Sequence, residues 1–323
     1  MGGNEHPIVA LLGPTGSGKS RLAMDLAIAL GGEIISCDAL QVYRHMDIGT
    51  AKPTREERAR VPHHMLDLRD PGQDFSAGDY QRLAREALSE ISLRGRLPLL
   101  VGGMGFYFRA LIDGLFEGPG RSDELRSRMR RIVDSRGAPS LHRALQRVDP
   151  QSAGRIMPTD ASRIIRAYEV YFLTGKTMSW WQDQPRDALR GYRSLRLGIS
   201  WPRDTLYQRI NDRVEQMLQA GFVGEVKELL KQHPRSSQAF KAIGYRQIAA
   251  YLEGQCKLEQ AVEEIQRESR RYAKRQLTWF HSDPQIVWLE ASLGPEELAA
   301  QGLKLIRDFL ERGHPDFPLS PDG

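Results

Sequence analysis

The run Ile8-Val9-Ala10-Leu11-Leu12-Gly13-Pro14-Thr15-Gly16-Ser17-Gly18-Lys19-Ser20 decides the fold. Its five apolar residues, closed by a glycine, read as a short buried strand. Gly13 to Ser20 fits the phosphate-cradle spacing G-x-x-x-x-G-K-[ST], and Leu22, Leu26, Ala29 and Leu30 then recur at helical spacing. Strand, glycine-rich turn and helix in that order are the context this P-loop motif requires. The glycines let successive backbone N–H groups converge on phosphate oxygens at the positive end of a helix. Gly13, Pro14, Thr15, Gly16, Ser17, Gly18, Lys19 and Ser20 are therefore the candidate diphosphate-binding residues. Lys19 adds a point charge, and the Ser20 hydroxyl suits Mg²⁺. The loop specifies a diphosphate, not what is attached to it.

Strand and helix signals keep alternating outward from this run. Glu33-Ile34-Ile35-Ser36-Cys37 reads as a second strand ending at Asp38, and an amphipathic helix is expected from an N-cap at Ser76 to Leu93. Leu97-Pro98-Leu99-Leu100-Val101 reads as a third strand, closed by Gly102-Gly103. Near-continuous apolar strands with helices between them predict an α/β fold, a P-loop-type parallel sheet flanked by helices. After Gly114 the pattern changes to helix throughout, with breaks at Gly137-Ala138-Pro139, Asp149-Pro150 and Gly175, until strand character returns over Tyr192 to Ser200. The expected organisation is a catalytic core over 1–116 and 191–311 with an all-helical insertion domain over 117–190. A flexible tail is expected over 312–323, where Pro315, Pro318 and Pro321 fall.

Composition narrows the class. The 323 residues are 40% hydrophobic and 27% charged, which suits about two soluble domains. No stretch approaches ~18 consecutive apolar residues, so no membrane span is expected. The leading residues lack the basic n-region of a signal peptide. Cys37 and Cys256 make neither a disulfide framework nor a metal motif, and His63-His64 lacks zinc-ligand spacing. A cytoplasmic protein acting as a monomer is expected. The net charge of +5 is uneven: residues 117–190 hold 14 Arg and Lys against 9 Asp and Glu, and the remainder balances at 32 of each. A basic block in a neutral chain points to a polyanionic partner or to a solvated Arg-rich face.

Most P-loops bind a nucleotide, ATP or GTP, and the prior reading is a kinase or NTPase. That reading asks for an apolar strand ending in a metal-binding acid. The third strand ends in Gly102-Gly103 instead, and the acid at a strand end is Asp38. By position Asp38 lies at the ligand crevice of an open α/β sheet, or caps a helix ahead of Ala39-Leu40-Gln41. A small-molecule kinase with an arginine-rich lid and an RNA-binding protein with a vestigial loop both remain open on these features.

The residues that follow carry more. Ser36-Cys37-Asp38-Ala39-Leu40-Gln41-Val42-Tyr43-Arg44 and Asp47-Ile48-Gly49-Thr50-Ala51-Lys52-Pro53 strongly resemble the tRNA dimethylallyltransferase family, the isopentenyl-diphosphate:tRNA transferases. The likeness continues through Val61-Pro62-His63-His64-Met65-Leu66-Asp67, Gly102-Gly103-Met104-Gly105-Phe106-Tyr107 and Arg163-Ile164-Ile165-Arg166-Ala167. It extends to Lys241-Ala242-Ile243-Gly244-Tyr245-Arg246-Gln247 and to the stretch from Arg270 to Phe280.

The resemblance implies transfer of a dimethylallyl group from dimethylallyl diphosphate to N6 of adenosine 37, in the anticodon stem-loop of tRNA, with Mg²⁺ as cofactor. It implies Asp38 as the catalytic base, Thr15 at the leaving group and Arg209 on the diphosphate. It places tRNA contacts at Asp38, Ala39, Leu40 and Gln41, at Met104 and Arg126, at Ser162, Arg163, Ile164, Ile165 and Arg166, at Ile243, Gly244, Tyr245, Arg246, Gln247 and Ile248, and at Lys274 and Arg275. Three positions depart from the family: Met104 stands for a usual Thr, Phe106 for a usual Leu and Ser162 for a usual Gln. Arg128, Arg130 and Arg131, and the stripe Arg267, Arg270 and Arg271, are further candidate phosphate contacts.

Overall fold

The computed structural model describes residues 5–313. Two compact units divide the chain, one from the residues up to Ile112 and from Leu189 on, the other Asp113–Ala188. The first holds six strands, β1 (His6–Leu12), β2 (Glu33–Cys37), β3 (His63–His64), β4 (Pro98–Gly102), β5 (Tyr192–Ser200) and β6 (Ile286–Glu290). They form one sheet in the order β3-β2-β4-β1-β5-β6, every pair parallel. β1, β2 and β4 are buried along nearly their whole length, as expected of strands covered on both faces. Alternate strand residues feed two cores. Val9, Leu11, Leu99 and Leu197 pack with the helices Lys19–Leu30 and Pro295–Gly313. Ile8, Ala10, Leu12 and Leu100 pack with Ala77–Leu93, Gly105–Ile112 and Leu258–His281. β3 and β6 escape sequence reading because two residues, and a half-exposed five, carry too little periodicity.

Register sets where the site can be. Leu12 of β1 and Cys37 of β2 both pair with Gly102 of β4, so the three strands end level. Gly13, Asp38 and Gly103 therefore leave the sheet at one edge. β1 and β2 lie two strand spacings apart, about 10 Å, with β4 between them.

The helical unit is entered and left through a backbone knot that moves its boundaries. Gly114 takes a positive φ of 77°, where any Cβ would strike the Asp187 carbonyl, and Asp187 N–H donates to the Leu115 carbonyl. The unit accordingly spans Asp113–Ala188 rather than 117–190. The last helix runs to Gly313, so 312 and 313 are helical, and the rest of the expected tail lies outside the described residues. Among the described residues no helix is long and apolar enough to cross a membrane.

Candidate active site

The P-loop leaves β1 at Gly13 and ends where the helix Lys19–Leu30 begins. Gly16 and Gly18 hold φ of 78° and 91°, a region that favours glycine. Lys19 Nζ folds back on the loop, donating to the Pro14 carbonyl at 2.6 Å and to Ser17 Oγ at 3.4 Å. Burial and, after it, the Arg213 guanidinium push the Lys19 ammonium down to about 7, with Asp38 pulling the other way. The loop thus gathers under-solvated positive charge, which suits an anion.

Side chains far along the sequence brace the loop. Arg209 stacks on Trp201, 4.5 Å from ring centre to guanidinium carbon, and donates Nε–H to the Gly16 carbonyl at 3.0 Å. The Trp201 indole N–H donates to the Ser17 carbonyl at 2.9 Å. Arg213, one turn after Arg209 on the helix Arg203–Gln219, donates to Thr15 Oγ1 at 3.1 Å and to the Thr50 carbonyl at 3.4 Å. Gln276 is buried with both ends used, its Oε1 accepting from Thr15 N–H at 2.9 Å and its Nε2 donating to the Gly103 carbonyl at 2.9 Å. Two loop amides are already engaged, that of Thr15 and that of Ser17, which donates to the Pro14 carbonyl at 3.4 Å. Sequence reading overlooked Arg213 and Gln276. The i, i+4 spacing from Arg209 was a usable signal for the first, and nothing local marks the second.

Asp38 follows β2 at the sheet edge and anchors a turn, capping no helix. Its Oδ1 accepts from Leu40 N–H at 2.8 Å and Gln41 N–H at 3.3 Å, and the segment continues as a turn, not a helix. These bonds hold the carboxylate at the sheet edge. Gln41 is fixed in turn by Ser36 Oγ–H at 2.7 Å and by donating to the Thr50 and Ala51 carbonyls, both 3.3 Å. The Asp47-to-Pro53 string is largely scaffold for this. Glu225 accepts the backbone N–H groups of Asp47, Ile48 and Gly49 together with the Tyr245 hydroxyl at 2.6 Å. Buried Lys52 ties Asp47 and Asp67 to the Tyr43 carbonyl. The same loop borders a cavity of about 610 Å³ whose wall includes Arg44, Lys52, Arg55, Arg58 and Arg213.

The close of β4 explains why that strand carries no acid. A Cβ on Gly102 would sit 2.1 Å from the Cys37 carbonyl, and one on Gly103 would meet Gln276 at 2.2 Å and the Gly13 carbonyl at 3.1 Å. Met104 N–H donates to the Cys37 carbonyl at 3.2 Å. Two glycines let this strand end pass between β2 and the P-loop. Cys37 is buried, and burial raises its thiol to about 12, so it stays protonated beside Asp38. Among the described residues no group of three His, Cys, Asp or Glu is set to hold a metal ion. His64 instead meets the buried Glu33 at 2.7 Å.

The residues expected to touch RNA sort into three kinds. Tyr245 and Ile248 are fully buried, Gly244 and Gln247 nearly so, and in the helical unit Ile164 and Ile165 belong to the core. The side chains of Tyr245, Gln247, Ile248, Ile164 and Ile165 pack the fold. Arg126 and Arg166 are spoken for: both grip the fully buried Glu169, Arg126 through two bonds of 2.8 and 2.9 Å and Arg166 at 2.6 Å. These arginines hold the Glu169 carboxyl at about 2 even though burial alone would raise it. In the basic stripe, Arg267, Arg270 and Arg271 are tied to Glu264, Asn211 and Glu268. Arg128, Arg130 and Arg131 of the helix Asp123–Arg136 remain, as does Lys274, exposed and without a partner among the described residues. Ser162, Arg163 and Arg246 are also exposed, and Ala39, Leu40, Met104 and Ile243 half-buried. Arg275 lies over Tyr272.

Comparison with known proteins agrees with this geometry. The IPP transferase family model matches residues 41–283, beginning just after the P-loop and Asp38. The tRNA dimethylallyltransferase of Geobacter sulfurreducens is 48% identical over 303 residues, covering 94% of this chain and 97% of that one. The enzyme of the same name from Koribacter versatilis is 46% identical over 300 residues, 93% and 98% of the two chains. A tRNA isopentenylpyrophosphate transferase from Bacillus halodurans superposes with a TM-score of 0.71 at 40% identity, over 96% of this chain and 98% of that one. A eukaryotic dimethylallyltransferase crystallised acting on tRNA reaches 0.78 at 27% identity, over 98% and 81%. A P-loop braced by two arginines one helical turn apart, an aspartate level with it across a glycine-ended strand, and likeness over nearly the whole length place this chain in the IPP transferase family.

Proposed function

We propose that the chain transfers a dimethylallyl group from dimethylallyl diphosphate to N6 of adenosine 37 in tRNA, releasing diphosphate. The observation that carries this is the level ending of β1, β4 and β2, which sets the P-loop and Asp38 on one edge about 10 Å apart. That gap suits an allylic carbon and a nucleobase amine meeting between a leaving-group cradle and a base.

The chemistry follows from the residues. The loop amides, Lys19 and Arg209 bind the diphosphate and stabilise the charge that grows on it as the C1–O bond breaks. Thr15, held by Arg213, faces the same oxygens. The Asp38 carboxylate orients the N6 amine and takes the proton it loses as the new C–N bond forms. An adenine amine is a weak nucleophile, so much of the rate comes from holding it in line with C1. Mg²⁺ fits the site: Ser20 Oγ has no partner among the described residues, and with no acidic cage nearby the ion would take its other ligands from diphosphate and water. Bound there, it would supply further charge neutralisation for the leaving group. Candidate RNA contacts are the exposed cations without a partner among the described residues, Arg128, Arg130 and Arg131 of one unit and, separately, Lys274 of the other. The protein is proposed to work as a monomer in the cytoplasm.

The test offers anticodon stem-loop RNA with labelled dimethylallyl diphosphate or labelled ATP, to the unaltered chain and to Asp38→Ala. Label from the first donor should reach adenosine, and Asp38→Ala should abolish transfer, a loss of at least about 10²-fold, while diphosphate binding stays within about twofold. Phosphate transfer from ATP in its place would make the protein a kinase. Lost donor binding in Asp38→Ala would make Asp38 a metal ligand.

A further inference from the structure

Among the described residues of the catalytic unit, ten are Phe or Trp, and all but one are buried or half-buried. The exception is Phe106, 54% exposed. It sits at the start of the helix Gly105–Ile112, whose packed face is Tyr107, Phe108 and Leu111, so its ring is turned off the core. The backbone before it is pinned to the site. Met104 N–H holds the Cys37 carbonyl next to Asp38, and Gly103 touches both Gln276 and the P-loop. Gly105 abuts the Trp279 ring, where a Cβ would come within 2.4 Å. Arg109, one turn on, lies over Trp279 at 5.9 Å, and Lys274 and Arg275 belong to the helix that carries Trp279. An apolar ring is thus kept in water at the rim of the crevice, on a rigid support, with cations on the neighbouring helix.

An adenine drawn out of a stacked loop leaves its neighbours without a face to lie on, and that lost stacking opposes extrusion. An aromatic ring fixed at the rim can replace the missing partner, as in single-strand binding surfaces where bases stack on aromatic rings between phosphate-binding cations. We infer that Phe106 is a stacking platform for the nucleotide flanking the acceptor adenosine. The inference rests on the reading of RNA as acceptor. It assigns Phe106 to RNA binding and not to the handling of the diphosphate.

The test places 2-aminopurine on one or the other side of the acceptor adenosine in a stem-loop, and titrates it with the unaltered chain and with F106A, F106L and F106W. The expected result is quenching of one of the two labels on binding, preserved in F106W and lost in F106A, with F106A binding about tenfold more weakly. F106L should fall between them. In turnover, the KM for RNA should rise in F106A while the KM for dimethylallyl diphosphate holds. Equal affinity and equal quenching in F106A and the unaltered chain would overturn the stacking role while leaving the transfer reaction standing. Failure of the unaltered chain to bind stem-loop RNA would overturn both.

Discussion

Lys19 makes donor binding a proton-linked event, and the linkage has a predictable size. Burial and Arg213 hold its ammonium down to about 7. A bound diphosphate brings the opposite charge and favours the protonated form, so the pKa rises on binding and the complex takes up a proton. The free enzyme is charged at Lys19 below pH 7 and neutral above it. Affinity should therefore be flat at low pH and fall as pH rises through 7. With half of Lys19 protonated at pH 7 and about a tenth at pH 8, the fall is about fivefold over that unit and approaches tenfold per unit above. Deprotonation of the diphosphate itself acts in the opposite sense near neutrality, so the slope is read against Lys19→Arg, whose side chain stays charged. Calorimetric titration of dimethylallyl diphosphate at pH 8, in two buffers of different ionisation enthalpy, counts the protons directly. The unaltered chain should take up close to one more proton than Lys19→Arg. Identical proton counts and parallel pH profiles in the two proteins would refute the assignment of a neutral Lys19 in the free loop.

Two further predictions concern the braces. Gln276→Leu removes the acceptor from Thr15 N–H and the donor to the Gly103 carbonyl, bonds that tie the loop to the end of β4. Donor affinity should drop about tenfold and the P-loop amides should exchange hydrogen faster, both measurable on the purified chain. Glu169→Gln leaves two arginines facing a neutral amide in the helical unit, and should destabilise that unit by roughly 3 kcal/mol, seen as faster exchange over Asp123–Arg136 and Ala161–Thr174. The sign with pH follows from a carboxyl held at about 2. Its stabilisation is complete above the ordinary carboxylate range and is lost as pH falls toward 2.

What the sequence revealed, and what it hid, divides by distance along the chain. Gly13 to Ser20 and the strand before it are a local pattern, and the structure keeps the expected order of strand, turn and helix. The helix after Ser76 was legible to the residue, because Ser76 and Asp79 form a capping box that only adjacent turns need. The contacts that make the site are long-range: Gln276 to Thr15 spans 261 positions and Arg213 to Thr15 spans 198. No periodicity encodes such a meeting. A single sequence shows a glutamine inside an amphipathic helix, and an arginine that might as well be solvated. The cations show the same limit. Counting arginines in the helical block gives a surplus, yet charge count cannot distinguish Arg126, spent on a buried glutamate 43 positions away, from Arg128 two residues on, exposed and without a partner among the described residues.

The acid that is missing from β4 was the better clue, and its reason is steric. A P-loop enzyme that divides a nucleotide between two phosphates needs a carboxylate for the metal near the loop. Here Gly102 and Gly103 close the neighbouring strand because Cβ atoms would collide with the Cys37 carbonyl and with Gln276. The close approach that excludes a side chain from β4 also brings β2 within reach of the loop, and with it Asp38. An acid on β2 lies one strand further from the phosphates, too far to sit in the first turn of the cradle but opposite whatever the diphosphate carries. On the proposed reading, moving the carboxylate by one strand would make it a base for a second substrate in place of a metal ligand, and that displacement would separate alkyl transfer from phosphoryl transfer on this sheet.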